Sequence, residues 1–376
     1  MHERVGIMWL CVIVIIITSV YAGTILYLRS GWLRTQLLRK PESCDIQKSL
    51  SIIVAFRNEE AKLPLLIESL VSKSLPVSGI ILVNDHSTDQ SVQIAEKLIS
   101  SHKNIRLLHL PDGIEGKKEA LRFAAREADG DYLLFTDADC SFGADMAQSM
   151  LECALTTGAP MVSGPVLFSE NGSFFQRLQQ LEFLSLITTG ACGISKNRAI
   201  LCNGANMMVE RGLYLKYSEN QGKSRSSGDD IFLLHTLKKT QRIAFCYDKK
   251  AIVTTAPASD FAEFVSQRIR WASKTGSYHD ADSLILAGIT LLASVCLLTS
   301  AIVSIVIRDA GACFFIVFTM KTLTDALFLQ PAIQYFSMQH LYKYIIPLAL
   351  IYPFYYLGIG LAALVKKPKW KNRKIT

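Results

Sequence analysis

Charge is missing from three long stretches of this 376-residue chain: residues 7–28, 283–307 and 344–365 contain no Asp, Glu, Lys or Arg. Each is long enough to cross a hydrocarbon core of about 30 Å. Any Cys-x-x-Cys pair is missing too. The nine cysteines (positions 11, 44, 140, 153, 192, 202, 246, 296 and 313) are odd in number and scattered. That pattern argues against a disulfide framework and against a zinc site. They read instead as small buried hydrophobes in a reducing compartment. Charged residues make up only 19% of the chain, half the residues are hydrophobic, and mean hydropathy is +0.27. Such a composition excludes an ordinary soluble globule.

The net charge of +8 is partly local, since Lys366, Lys367, Lys369, Lys371, Arg373 and Lys374 crowd the region after the last apolar stretch. Beside a span this reads as a topology signal facing anionic lipid, not as a nucleic-acid surface. At the other end, Val20-Tyr21-Ala22 resembles a signal-peptide cleavage site. The apolar run continues past it to Leu28, however, and Arg29, Arg34, Arg39 and Lys40 follow. An uncleaved anchor with the following domain in the cytoplasm accounts for that order. The expected layout is an anchor at 1–30, a globular domain at 49–275, a membrane region of two or three spans at 281–366 and a basic tail at 367–376. Residues 310–340 are apolar but carry Lys321 and Asp325, one helical turn apart and able to pair. Four full spans would put the basic tail outside, so this segment is expected to be incomplete or interfacial.

Within the domain, apolar runs of strand type alternate with amphipathic runs. Strands are expected at 50–55, 80–83, 105–110 and 132–136, and helices at about 61–73, at 90–100 with Asp89 as N-cap, and from 116 onward. Four alternations predict an α/β fold with a mainly parallel, doubly wound sheet and helices on both faces, plus transmembrane helices. Ligands of such sheets bind at the carboxyl ends of the strands. Arg57-Asn58-Glu59, Asn84-Asp85 and Asp137-Ala138-Asp139 all fall at those ends. A further strand is expected at 161–168, a helix at 174–188, and a glycine-interrupted strand at 201–209.

Asp137 and Asp139 project to one side if the strand continues through them. Two such carboxylates suit Mg²⁺ or Mn²⁺, which takes one or two protein oxygens and leaves places for phosphate. The same triplet also occurs in plain turns, so its neighbours decide. Asp229-Asp230 precede an apolar helical run; Asp caps helices well, but two adjacent acids exceed what a cap requires. A carboxylate placed beside an acceptor hydroxyl serves as a general base. Gln267-Arg268-Ile269-Arg270-Trp271 combines a diphosphate-binding fork with a stacking indole, and could equally be an interface anchor.

In order, Arg-Asn-Glu, Asn-Asp, Gly116-Lys117-x-x-Ala-Leu, Asp-x-Asp, Asn203-Gly204-x-Asn206, Gly-Asp-Asp and Gln-x-x-Arg-Trp resemble the family-2 inverting glycosyltransferases of GT-A fold. The likeness is to the membrane-embedded branch with cellulose, chitin and hyaluronan synthases and ceramide glucosyltransferases, and it covers about residues 49–275. Ala55 stands where that family usually has proline. The resemblance implies a UDP-sugar donor, with Asp85 on the uracil edge, Arg57 and Glu59 lining the nucleotide pocket and Lys117 on phosphate. It implies Asp137 and Asp139 for the metal and donor, and Asp230, or less so Asp229, as base. Gln267, Arg270 and Trp271 would close over the diphosphate and acceptor, and Asn203, Gly204 and Asn206 would face a lipid or glycan acceptor. A bacterial inner-membrane enzyme of cell-envelope synthesis is implied. The other reading, a non-catalytic membrane scaffold, would be expected to have lost these acids or the Gln-x-x-Arg-Trp segment.

Overall fold

The computed structural model describes residues 2–36, 48–71, 77–169, 172–220, 229–275, 278–307, 310–365, 369–370 and 373–374. Arg39, Lys40, Cys44, Ser227, Gly228, Lys366, Lys367 and Lys371 lie outside them. The chain divides into two compact units. One comprises residues 1–34, 171–192 and 258–368; the other comprises 35–170, 193–257 and 369–376. The stretch expected as a single domain at 49–275 thus contributes to both.

The sheet-bearing unit begins with β1 (Leu50–Phe56), α2 (Leu63–Val71), β2 (Val77–Asn84), α3 (Ser91–Ile99), β3 (Ile105–His109), α4 (Lys117–Glu127) and β4 (Tyr132–Asp137), with α1 (His2–Gln36) preceding them in the chain. It continues with β5 (Ser141–Phe142), α5 (Met146–Thr157), β6 (Met161–Ser163) and β7 (Val166–Phe168). After α6 (Phe174–Ser195) come β8 (Met207–Glu210), α7 (Arg211–Asn220), α8 (Asp229–Leu237), β9 (Ile243–Phe245) and β10 (Val253–Thr255).

Seven strands form the main sheet in the order β3-β2-β1-β4-β8-β6-β9. β3, β2, β1 and β4 run parallel; β8 is reversed against both β4 and β6, and β9 is parallel to β6. Right-handed crossovers put α2 and α3 on one face as the chain moves outward from β1 to β3. α4 returns on the other face to reach β4, and it packs on β1 and β2. Every residue of β1 and β4 from Ile52 to Val54 and from Leu133 to Thr136 is buried, as centrally placed parallel strands must be.

The expected strand at 161–168 is two strands in two sheets. Gly164-Pro165 interrupts it, and β7 pairs with β10 in a three-stranded sheet, β5-β10-β7. Pro165 has no amide to continue a ladder, and a Cβ on Gly164 would lie 2.3 Å from Asn206 Nδ2. Asp89 is not the N-cap of α3, which is Gln90; it accepts from Ser91 N at 3.0 Å instead.

Among the described residues, the other unit holds four helices long and apolar enough to cross a membrane: Val5–Leu33, Ala281–Val306, Gly311–Tyr335 and Gln339–Val365. They belong to α1, α10 (Ala281–Val306), α11 (Gly311–Tyr335) and α12 (Ile345–Val365, preceded by a 3-10 turn), while α9 (Phe261–Ala272) and most of α6 complete the unit. α1 runs through Val20-Tyr21-Ala22 without a break. α11, where an incomplete or interfacial segment is expected at 310–340, is one continuous helix with Pro331 inside it and is long and apolar enough to cross a membrane. Pairing explains its continuity despite the charges: Lys321 donates to Asp325 Oδ2 at 2.6 Å, and Tyr21 donates to Asp325 Oδ1 at 2.5 Å. The eight described cysteines are all unbridged.

One contact pins the two central strands. Asp131, just before β4, accepts from Ser49 N and Ser49 Oγ at 2.9 Å each and from Lys48 Nζ at 3.0 Å. The Ser49 amide first, then Lys48 and the Ser49 hydroxyl, hold its carboxyl down at about 2, against 3.8 ordinarily. A depressed carboxyl stabilises the fold above its unfolded pKa and loses that contribution as pH falls through the folded one. Asp131→Asn should therefore cost about 1 kcal/mol at neutral pH, the size of a partly screened surface interaction. Thermal unfolding in detergent should show the gap to wild type closing as pH drops from about 4 toward 2; a gap independent of pH would contradict the ion pairing.

Candidate functional site

The carboxyl ends of β1, β2 and β4 carry the first group of expected residues, and the structure gathers them. Two loops are laced together there. Asn58 adopts φ 51°, a left-handed conformation that Asn tolerates better than most residues. That turn lets its Oδ1 accept from Thr88 N at 2.8 Å while its own amide donates to Ser87 Oγ at 3.1 Å. Glu59 N donates to Ser91 Oγ at 2.8 Å. Arg57 donates from Nη1 to the Asp85 carbonyl at 3.0 Å, and its buried Nε has no protein partner.

Asp85 is buried, at 1% exposure, and its Oδ2 accepts from Gly116 N at 3.2 Å. Gly116 has φ 101°, a region open to glycine. It starts α4, and so Asp85 sets where the next residue, Lys117, begins its reach. Lys117 Nζ forms an ion pair with Asp137 Oδ1.

Asp137 is the last residue of β4, and Asp139 lies beyond the strand in a turn closed by Cys140 N donating to the Asp137 carbonyl at 3.1 Å. Strand alternation therefore does not carry the Asp-x-Asp geometry, contrary to the expectation from sequence. The turn has the same effect: Asp137 and Asp139 are half-buried while Ala138 is buried. Asp139 Oδ2 lies 3.8 Å from Lys62 Nζ, a lysine that pattern reading counts only as part of the helix expected at about 61–73.

Asp230 lies in the first turn of α8, so it and Asp229 are helical and do not precede the helix. Asp229's side chain is outside the described residues. Asp230 Oδ2 accepts from Gly204 N at 3.0 Å, and Oδ1 accepts from Ile231 N at 2.9 Å. A Cβ on Gly204 would sit 3.3 Å from Oδ2, so the absence of a side chain there lets the turn close on the carboxylate. Asn203 caps that turn, accepting from Ala205 N at 3.0 Å. Asn206 is different from its expected role. It is fully buried, and Nδ2 donates to Pro165 O at 2.9 Å and Ala251 O at 2.7 Å. Its amide nitrogen joins the two sheets, and Oδ1, buried beside it, has no hydrogen-bond partner among the described residues.

Lys117 is the electrostatic centre. Burial of its ammonium works to lower its pKa, but Asp137, and behind it Asp230 and Asp139, outweigh that and leave it above the ordinary 10.5. Asp137, Asp139 and Asp230 thus share the field of one cation. Among the described residues no group of three or more His, Cys, Asp or Glu is disposed to enclose a metal ion. Asp137 and Asp139 are open, half-exposed oxygen donors, and that fits a hard cation held by one or two carboxylates with substrate oxygens completing its shell.

Gln267, Arg270 and Trp271 lie on α9, in the unit of membrane helices. Arg268, read from the sequence as one of the two arginines of that cationic segment, is instead buried and pairs with Glu182 of α6. Nothing in the local sequence signals a partner 86 positions away.

Strand order and the lysine–aspartate pair at the carboxyl end of β4 mark an α/β protein of GT-A type. Comparisons with known proteins agree. Residues 51–217 match the family described as Glycosyl transferase family 2, and the chain therefore carries a domain of that family. It is 34% identical over 124 residues to 4,4'-diaponeurosporenoate glycosyltransferase of Staphylococcus haemolyticus, covering 32% of this chain and 33% of that one. It is 22% identical over 248 residues to poly-beta-1,6-N-acetyl-D-glucosamine synthase of Staphylococcus epidermidis, covering 63% and 56%. The chain thus spans from a third to just over half the length of these curated relatives. Mannosyltransferase PcManGT from Pyrobaculum calidifontis, solved in complex with GDP-Man and Mn²⁺, superposes with a TM-score of 0.57 at 17% identity over 95% of this chain and 99% of that one. At that identity the fold is what the two have in common.

A lysine held above its ordinary pKa stabilises the fold fully below its unfolded pKa, and that contribution is lost only as pH rises through the folded one. Lys117 should therefore remain charged throughout the neutral range. Competitive acylation read by mass spectrometry should find it less reactive than Lys62. Asp137→Asn should raise its reactivity, roughly tenfold for each pKa unit it falls. Equal reactivity before and after the substitution would remove Asp137 as its main partner.

Proposed function

We propose that the chain is a membrane-bound inverting glycosyltransferase that moves a sugar from a nucleotide donor, taken as UDP-linked, to a lipid or glycan acceptor as a β-glycoside. The observation that carries this reading is the ion pair of Lys117 with Asp137 at the end of β4, with Asp139 two residues on and Asp230, in the first turn of α8, acting on the same ammonium. The family match over 51–217 and the unsatisfied Arg57 Nε beside Asp85 support it.

In the proposed reaction Arg57 and Glu59 line the nucleotide pocket and Asp85 meets the base. Asp85 also orders Gly116, so it acts on the lysine that follows as well as on the nucleotide. Asp230 Oδ2 takes the proton of the acceptor hydroxyl while the acceptor oxygen attacks the anomeric carbon. The bond from that carbon to the diphosphate oxygen breaks as the new one forms. Both electrons leave with the nucleoside diphosphate, and Lys117 offsets the charge that develops on it. One in-line displacement inverts the carbon, and no covalent enzyme intermediate is needed. Asp137 and Asp139 would hold Mg²⁺ or Mn²⁺, which when bound supplies further neutralisation of the diphosphate; Mn²⁺ beside a nucleotide sugar in the archaeal neighbour supports that choice. By motif, Gln267, Arg270 and Trp271 are assigned to diphosphate and acceptor, and Asn203 and Gly204 to the acceptor side. Asn206 keeps only its structural part.

The domain is assigned to the cytoplasm, where nucleotide sugars are made, in a bacterial inner membrane. With four spans, the basic clusters at 29–40 and 366–374 fall on opposite sides, and the positive-inside rule cannot be met by both. Protease accessibility in sealed vesicles decides between them.

The full chain, incubated with UDP- and GDP-sugars and a membrane lipid extract, should give a glycosylated product by mass spectrometry and lose that activity in EDTA. Asp230→Asn should reduce transfer by about 10²-fold or more, with nucleotide binding by calorimetry close to wild type. Normal transfer by this variant would sink the assignment of the base. Transfer unaffected by chelation would sink the metal.

A further inference from the structure

Arg268 has no role in the reaction as proposed, yet it is among the most completely buried side chains of the molecule, at 2% exposure. A guanidinium in that position must have its charge and donors satisfied, and the way they are satisfied is informative. Nε donates to Glu182 Oε1 at 3.2 Å and Nη2 donates to Glu182 Oε2 at 2.5 Å, a two-pronged pair with a residue of α6. Nη1 donates to Gln267 Oε1. The guanidinium carbon, Cζ, lies over the Trp271 ring at 4.2 Å from its centre and over the Phe264 ring at 4.6 Å. Glu182 is held in turn from α12, whose Tyr355 hydroxyl donates to Oε1 at 3.1 Å.

We propose that Arg268 is a positioning residue that sets the orientation of Gln267 and Trp271, with Glu182 and Tyr355 as its anchor among the membrane helices. The inference rests on the proposed role of Gln267 and Trp271 in transfer, and its physical basis is the shape of the guanidinium. Its edge binds a carboxylate and an amide oxygen while its face stacks on an indole, so three neighbours are placed at fixed angles to one plane. An ammonium carries the same charge but neither the fork nor the face. If Arg268 only neutralised Glu182, lysine would replace it. If it orients the two motif residues, lysine will not.

Gln179 makes the arrangement stiffer. Its side chain donates to Ala258 O and accepts from Ala258 N, both at 3.0 Å, and so ties the segment entering α9 to α6 one turn before Glu182. α9 is therefore fixed on α6 at two places, and Arg268 is the one that touches the motif.

The test uses the full chain in detergent with 5-fluorotryptophan at its four tryptophans, the Trp271 ¹⁹F resonance being assigned with Trp271→Phe. Arg268→Lys and Tyr355→Phe are compared with wild type for three quantities: the Trp271 resonance, the melting temperature, and kcat and KM for the donor. Expected for Arg268→Lys are a displaced Trp271 resonance, a fall in kcat of at least tenfold and a donor KM within about twofold, with an unchanged melting temperature. Tyr355→Phe should move the same resonance by less. A Trp271 resonance unmoved in Arg268→Lys, or kcat restored to within twofold of wild type by lysine, would overturn the proposal. A loss of activity that follows the melting temperature would overturn it too, leaving Arg268 as a structural ion pair. If wild type transfers no sugar, the glycosyltransferase reading fails, and the resonance still decides whether Arg268 orients Trp271.

Discussion

The pair between Lys117 and Asp137 governs the chemistry available to the sheet-bearing unit. Asp137, Asp139 and Asp230 are brought close enough to act on one ammonium group, and without compensation their mutual repulsion would oppose closing the strand ends together. A lysine at the start of α4 is well placed to compensate it. Its position is set by Gly116, whose left-handed backbone turns the chain, and by the buried Asp85, which holds the Gly116 amide. A cation that already balances three carboxylates is also a cation available to a polyanionic leaving group. The same cluster therefore serves folding and the proposed reaction.

Around that cluster, buried polar joints set the loops. Asn58 laces the turn after β1 to the turn after β2. Asn206 spends its amide on two carbonyls, Pro165 and Ala251, and so joins the seven-stranded sheet to the three-stranded one just below the turn that meets Asp230. In the unit of membrane helices, Arg268 and Glu182 do for α9 what Asn206 does for the strands, and Lys321 with Asp325 and Tyr21 do it for α1 and α11. Each joint satisfies groups that would otherwise be buried without partners, which makes each costly to break on one side only.

The alternation of apolar runs and amphipathic helices was enough to place the four parallel strands, because hydrophobic period and strand-end polarity are local properties. The acids and Lys117 were found by the same reading, since each follows directly on a strand or opens a helix. Local patterns also marked the uncharged stretches 7–28, 283–307 and 344–365. What that reading could not supply is anything that depends on a partner distant in sequence. It takes 161–168 as one strand although Gly164-Pro165 interrupts the run; what it cannot supply is that the two halves join different sheets, β6 beside β8 and β9 and β7 beside β10. It takes 310–340 as incomplete because a fourth span would put the basic tail outside, and it cannot see the distant contact, Tyr21 to Asp325, that joins this helix to α1.

By itself, then, the sequence determined the class of fold, the ends of the strands where chemistry collects, and the helices able to enter a membrane, all of which follow from composition and period along short windows. The tertiary structure decided which polar residues stay accessible and which are buried as parts of the frame. Asn206 and Arg268 sit in motifs beside Asn203 and Gln267 and look no different in sequence, yet both are buried, the Asn206 Nδ2 held by two backbone carbonyls and Arg268 by Glu182. Exposure and partnership are properties of packing between segments far apart in the chain, and only folding brings those segments together.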